Sequence, residues 1–69
     1  MEFSPEELSE AKRQLDSTLH KLREVVKTLQ SKENPERYKA QITLAKRRIR
    51  AFEIANTFLL RALEQETYQ

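Results

Sequence analysis

The chain contains neither cysteine nor glycine, and it has one histidine in 69 residues. Without cysteine it cannot form a disulfide or a thiolate metal site, and His20 alone cannot hold a zinc ion. The lack of glycine, with only two prolines, argues against sheet, tight hairpin turns and glycine-rich phosphate loops. A domain this small buries little surface. We therefore expect a second chain to supplement its core.

Long apolar runs are also missing. None approaches the ~20 residues that a membrane-spanning helix needs, and the acidic start with Glu2, Glu6 and Glu7 is unlike a signal peptide. We therefore expect a soluble, cytoplasmic protein with no membrane association. Charged residues make up 35% of the chain, which is typical of solvated helices.

The sequence predicts a first helix over about 5–31. Ser4-Pro5-Glu6-Glu7 matches a capping box with proline at the first helical position, and Phe3 and Leu8 match the hydrophobic staple that accompanies it. Apolar residues then recur at helical spacing and predict one buried stripe. Its members are Leu8, Leu15, Leu22 and Leu29, with Ala11, Thr18 and Val25 three places on and Leu19 and Val26 four places on.

A turn is predicted over about 32–34, followed by a second helix over about 35–65. Asn34 is a suitable N-cap, and Pro35 is a suitable first helical residue. The second helix carries an apolar seam that alternates steps of four and three. The seam consists of Tyr38, Ile42, Ala45, Ile49, Phe52, Asn56, Leu59 and Leu63.

A short turn implies that the two helices are antiparallel neighbours. Folding back sets Leu29 near Tyr38 and Leu8 near Leu59 or Leu63, so stripes of equal length meet. The predicted fold is therefore all-α: an antiparallel, coiled-coil-like two-helix hairpin that forms a single domain over residues 1–69. Asn56 is the one polar residue in the seam of the second helix, and we expect it to fix the register of the two helices. A contact to a ligand is the alternative.

The second helix has more apolar surface than one neighbouring helix can cover. A second stripe lies about 120° around the helix from the seam, and small residues there let another helix approach closely. We expect this surface to pair with a second copy in a four-helix bundle, or with another protein. The predicted interface residues are Leu44, Ala51, Ala55, Phe58, Leu60 and Ala62.

Charge is distributed unevenly along the chain. Residues 11–50 hold twelve basic and four acidic residues, for +8, and the remainder holds one basic and seven acidic residues, for −6. A basic cluster in the middle of the hairpin fits an anionic partner, either nucleic acid or an acidic protein surface. It also fits an ordinary solvated face, or an antiparallel dimer in which opposite charges meet. The cluster consists of Lys21, Arg23, Lys46, Arg47, Arg48 and Arg50.

In length and layout this hairpin resembles the plasmid copy-number regulators that are dimers of helical hairpins and bind paired RNA loops. The resemblance implies dimerisation and RNA binding as expectations, and because no motif matches residue by residue it assigns no site residues.

The sequence contains no arrangement typical of catalysis, such as a nucleophile with its base or a pair of convergent carboxylates. Glu6, Glu7 and Glu10 suit the first turn of a helix, where acids interact favourably with the dipole, and His20 lies on the polar face. We therefore predict a non-enzymatic protein-interaction or assembly module, a small adaptor or regulator, that uses no cofactor, metal or small-molecule substrate. The alternative is a regulator that binds nucleic acid through the basic cluster.

Overall fold

The computed structural model describes residues 3–67 of the chain, and side chains through residue 65. It contains helix α1 (Pro5–Gln30), a 3₁₀ turn (Pro35–Tyr38) and helix α2 (Lys39–Thr67). The helices pack along each other into a rod of 52 × 16 × 14 Å. The predicted all-α fold with two packed helices is thereby confirmed. Residues 1, 2, 68 and 69 of the predicted domain lie outside the described part.

The predicted capping box opens α1. The Glu7 backbone amide donates to Ser4 Oγ at 3.2 Å, and the Ser4 amide donates to Glu7 Oε1 at 3.2 Å. Both bonds satisfy amides that the first turn would otherwise leave unpaired. The helix ends at Gln30, where the Ser31 amide donates to the carbonyls of Lys27 and Thr28.

The second helix starts differently from the prediction. Asn34 makes no side-chain cap hydrogen bond. Its backbone carbonyl instead accepts from the Arg37 amide at 3.2 Å, which closes a tight 3₁₀ turn that begins at Pro35. The α-helix proper therefore begins at Lys39, four residues later than expected, because the tighter i to i+3 bonding replaces the side-chain cap as the way to satisfy the first amides.

The predicted seam of α2 is confirmed. Ala45 is buried, and the other seven positions from Tyr38 to Leu63 are half-buried. On α1 the burial follows a strict alternation of four and three residues. The buried or half-buried helical positions are Leu8, Lys12, Leu15, Leu19, Leu22, Val26 and Leu29.

The α1 stripe is narrower than predicted, and it includes a lysine. Ala11, Thr18 and Val25 are exposed, and Lys12 takes the half-buried position. The reason is geometric: Leu8, Leu15 and Leu22 already form one edge of the seam, and the residue three places after each lies about 60° further out, beyond the reach of a single neighbouring helix. Only an additional neighbour would bury those three positions.

The core between the helices is thin. Its buried hydrophobic residues are Leu8, Leu19, Val26 and Ala45, and none of the described side chains falls below 2% exposure. The accessible surface of the chain is 5677 Å², whereas a folded monomer of this mass typically has about 4,500 Å². The hairpin therefore leaves roughly 1,100 Å² more surface in contact with water than a chain of this size usually does.

Candidate association surface

Polar contacts between the helices concentrate on one side of the hairpin, which we call the polar flank. It is formed by Lys12, Asp16 and Arg23 of α1 together with Glu53 and Asn56 of α2. Three side-chain hydrogen bonds join the helices here.

Asn56 is at the centre of this network. Its Nδ2 donates to Asp16 Oδ1 at 2.9 Å, and its Oδ1 accepts from Lys12 Nζ at 3.5 Å. Lys12 Nζ also lies 3.0 Å from Asp16 Oδ2, so the three side chains form a closed triangle across the seam. This geometry suits the register role that the sequence predicts for Asn56. Lys12 and Asp16 were missed because both resemble ordinary surface residues of a helix.

The same contacts lower the pKa of Asp16. The hydrogen bond from Lys12 contributes most, and the hydrogen bond from Asn56 contributes next. Both favour the charged carboxylate. Since the folded pKa is depressed, the contribution to stability is present above the unfolded value near 3.8 and is lost as pH falls through the folded pKa.

Asp16 is therefore expected to titrate below its ordinary range in the folded chain. Carboxyl carbon chemical shifts followed by NMR between pH 2 and pH 6, roughly the range in which free carboxyls titrate, measure this directly. Asn56→Ala removes one of the two hydrogen bonds and should raise the pKa of Asp16 part of the way back. Glu10, whose pKa is lowered by hydrogen bonds from Gln14 and Arg13 rather than from Asn56, is the control whose pKa the substitution should leave unchanged. An Asp16 titration unchanged by the substitution would contradict the network.

Glu53 supplies the second polar link. Arg23 Nη2 donates to Glu53 Oε2 at 3.0 Å, and Arg50 Nη1 lies 3.7 Å from Glu53 Oε1. Two of the six cations predicted to bind an anionic partner are therefore engaged by one carboxylate within the hairpin.

The other four predicted cations are exposed, and none of them forms an ion pair with the side chains of residues 3–65. At about 100° per residue, Lys46, Arg47 and Arg48 project in three directions around α2. Arg48 lies beside Leu44 and Ala51, whereas Lys46 lies on the side of Arg50. These three cations are consecutive in sequence, but their side chains are spread around the rod.

The apolar stripe of α2 comprises Leu44, Ala51, Ala55, Phe58 and Ala62. Leu44 is 49% exposed and Phe58 is 62% exposed, Ala51 and Ala55 are exposed, and Ala62 is half-buried. With Arg48 included, the spacing is again four, three, four, three and four, the repeat that packs helices against each other. Within the described part of the chain, almost nothing packs against the apolar stripe.

The exposed positions of α1 lie on the same side as the apolar stripe. Ala11, Thr18 and Val25 are rotated about 60° from the α1 seam in the direction away from Asp16 and Arg23. Ala11 shares a shallow, mainly apolar pocket with Leu59 of α2 and with Phe3 and Leu8, which places it on the flank opposite the polar network. We call this side, with the apolar stripe and these α1 positions, the apolar flank.

Leu60 does not belong to the apolar flank, although it was predicted as an interface residue. It lines a groove together with Asp16, Leu19 and Glu53 on the polar flank. Phe58 and Leu60 are two residues apart and so project about 200° from each other around α2. Leu60 is 44% exposed, but its surroundings are the ion-paired side of the hairpin.

A cationic side chain lies beside the ring of Phe58. The guanidinium carbon of Arg61 lies 5.5 Å from the centroid of the Phe58 ring, within the range of a cation–π contact. This contact was not predicted from the sequence.

The fold separates the charges of the chain into two halves of the rod. The half that holds the turn, residues 17–50, carries ten basic and three acidic residues, for +7. The rest of the sequence, residues 1–16 and 51–69, holds three basic and eight acidic residues, for −5. Each hairpin therefore has a basic end and an acidic end.

Among the side chains of residues 3–65, no three from His, Asp or Glu come together as they would to hold a metal ion. Within residues 3–67, neither helix has the length and apolar content needed to cross a lipid bilayer. Comparisons with protein-family models, curated proteins and solved structures find no match to this chain.

Proposed function

We propose that this chain is a non-enzymatic assembly module that associates with a second copy of itself through its apolar flank, forming a four-helix bundle. The observation that carries the proposal is the second seam of α2, which follows helix-packing spacing while Leu44 and Phe58 remain about half exposed or more. A helix with two apolar seams is normally covered on both sides. As a dimer the module would act as a small adaptor or regulator.

The surface area of the hairpin supports pairing. Its excess of roughly 1,100 Å² over a typical monomer of the same mass is comparable to the ~800 Å² per partner that a specific, stable complex buries. Burial of the apolar flank against the same flank of a second copy would therefore reduce the exposed area of the chain to about the value usual for its mass.

The composition of the apolar stripe also supports pairing of helices. Ala51 and Ala55 allow two helix backbones to approach closely, while Leu44 and Phe58 provide larger side chains to bury near the ends of the stripe. Aromatic side chains are the residues that most often dominate binding energy when an interface excludes water around them. Phe58, the most exposed large hydrophobic residue among those described, fits that role.

Light scattering coupled to size-exclusion chromatography tests the proposal. We expect twice the mass of the chain over a range of micromolar concentrations, and a thermal unfolding midpoint that rises with protein concentration because association stabilises the folded state by mass action. A single-chain mass at every concentration, together with a midpoint independent of concentration, would contradict self-association.

Binding of an anionic partner, including nucleic acid, is a second candidate. The observation in its favour is that Lys21, Lys46, Arg47 and Arg48 remain exposed with no ion pair in the described part of the chain. Their spread around the rod supports it less well than a single basic face would, since phosphate contacts follow one continuous surface.

A further inference from the structure

We infer that the second copy runs antiparallel along α2, in a register that places Leu44 opposite Ala62, Arg48 opposite Phe58, and Ala51 opposite Ala55 of the other copy. This inference rests on the proposed self-association and adds its direction and its residue pairs. It also assigns Arg48 to the interface between copies rather than to an anionic partner.

The separation of charge favours the antiparallel direction. When the turns of the two copies lie at opposite ends, the half with a net charge of +7 in one copy lies along the half with a net charge of −5 in the other. The long-range electrostatic interaction is then attractive. With the turns at the same end, +7 would face +7 and −5 would face −5. Like charges held side by side oppose association, and an arrangement that avoids them is selected.

The apolar stripe can pair with the apolar stripe of a second copy that runs in the opposite direction. With Arg48 included, reversing α2 about a two-fold axis midway between Ala51 and Ala55 brings every position of the stripe onto another of its positions, as an isologous interface requires. Leu44 then meets the smaller Ala62, alanines meet at the centre, where the backbones come nearest, and Arg48 and Phe58 are the one pair of two large residues. Interdigitation of large and small side chains is how helix interfaces reach native packing density.

Arg48 is the polar member of this second seam, and the antiparallel register gives it a partner. Within one chain Phe58 already has Arg61 near its ring at 5.5 Å, and the side chain is still 62% exposed. Arg48 of the other copy would reach the same ring, and its aliphatic stem would cover the apolar surface beside it. A planar guanidinium suits this stacking better than an ammonium group does.

Disulfide cross-linking between single-cysteine chains tests the direction. The natural chain has no cysteine, so Leu44→Cys and Ala62→Cys each carry only one thiol. Mixed and equilibrated in a glutathione buffer, the two variants should form the mixed disulfide in about tenfold excess over either homodisulfide, since a disulfide needs Cα atoms within about 7 Å. In the proposed register the two residues at position 44 lie about 27 Å apart along the axis.

The Ala51→Cys and Ala55→Cys pair repeats the test with a smaller change of side-chain size, and it should also favour the mixed disulfide. Leu60→Cys mixed with Leu44→Cys is the matched control, because Leu60 lies on the polar flank; this pair should not cross-link above background.

The possible failures are distinguishable. Predominant homodisulfides of Leu44→Cys would overturn the antiparallel direction and show a parallel pair. A dimeric mass with no mixed disulfide at either pair of positions would overturn the α2-to-α2 register while leaving self-association intact. A single-chain mass for the unmodified protein would overturn self-association itself, and the register with it.

Discussion

Replacing Phe58 by glutamate is expected to convert the dimer into single hairpins. The substitution removes a large apolar side chain from the apolar stripe and would place a carboxylate in an interface that excludes water. Hot-spot substitutions of this kind cost about 2–4 kcal/mol, which corresponds to a rise in Kd of roughly 30- to 1,000-fold. Because Phe58 is 62% exposed in the hairpin, the fold of each chain should survive the change.

Leu60→Glu is the matched control for Phe58→Glu. Both residues are large, apolar and substantially exposed, and they lie two positions apart on α2, but Leu60 is on the polar flank. Light scattering should give a single-chain mass for Phe58→Glu and a dimer mass for Leu60→Glu, while circular dichroism shows both to be helical. Equal loss of association in the two variants would mean that the apolar stripe is not the specific contact.

The helices, the α1 cap and the α2 seam were predictable because each depends on residues close together in sequence. The capping box is set by Ser4 and Glu7, three residues apart, and its two hydrogen bonds form as expected. The α2 seam follows from apolar side chains that recur every three or four residues, and this spacing alone determines which positions share a face.

The errors on α1 and at the turn arise where local rules compete. At position 12 a lysine occupies a seam position because its stem can pack against the neighbour while its ammonium group reaches Asp16 and Asn56. At position 34 an asparagine suggested a side-chain cap, but its backbone carbonyl closes a 3₁₀ turn instead. In both cases the residue type permits two arrangements, and only the three-dimensional context selects one.

The assignment of residues to the polar flank and the apolar flank could not be predicted from the sequence and required the structure. Which side of α2 faces which side of α1 depends on the register and the mutual rotation of segments separated by 30 to 44 residues, as in the Arg23–Glu53 and Lys12–Asn56 contacts. Helical periodicity gives the angle between Phe58 and Leu60 but not the surroundings of either one. The structure supplies those surroundings, so it separates Leu60 from the apolar stripe and removes Arg23 and Arg50 from the group of unpaired cations.

Leu19→Ala is expected to cost most of the stability of the hairpin. Leu19 is the most buried residue among those described, at 2% exposure, and it belongs to a core with only four buried hydrophobic residues. Truncating a buried leucine costs about 2–5 kcal/mol, whereas a domain of this length is stable by roughly 3–10 kcal/mol in total. Urea denaturation followed by circular dichroism measures the loss, and Leu60→Ala, at an exposed position, should change stability by no more than about 0.5 kcal/mol.

The concentration dependence of Leu19→Ala links the core to the interface. If the second copy contributes to stability, raising the protein concentration should restore part of the helical signal of this variant, because association draws the equilibrium toward the folded chain. The double variant Leu19→Ala/Phe58→Glu should show no such recovery, since its apolar stripe cannot pair. Equal recovery in both variants would mean that the thin core is supplemented by some other contact. If neither variant regains helical signal and Leu19→Ala is as stable as Leu60→Ala, then burial of Leu19 in the seam does not stabilise the fold.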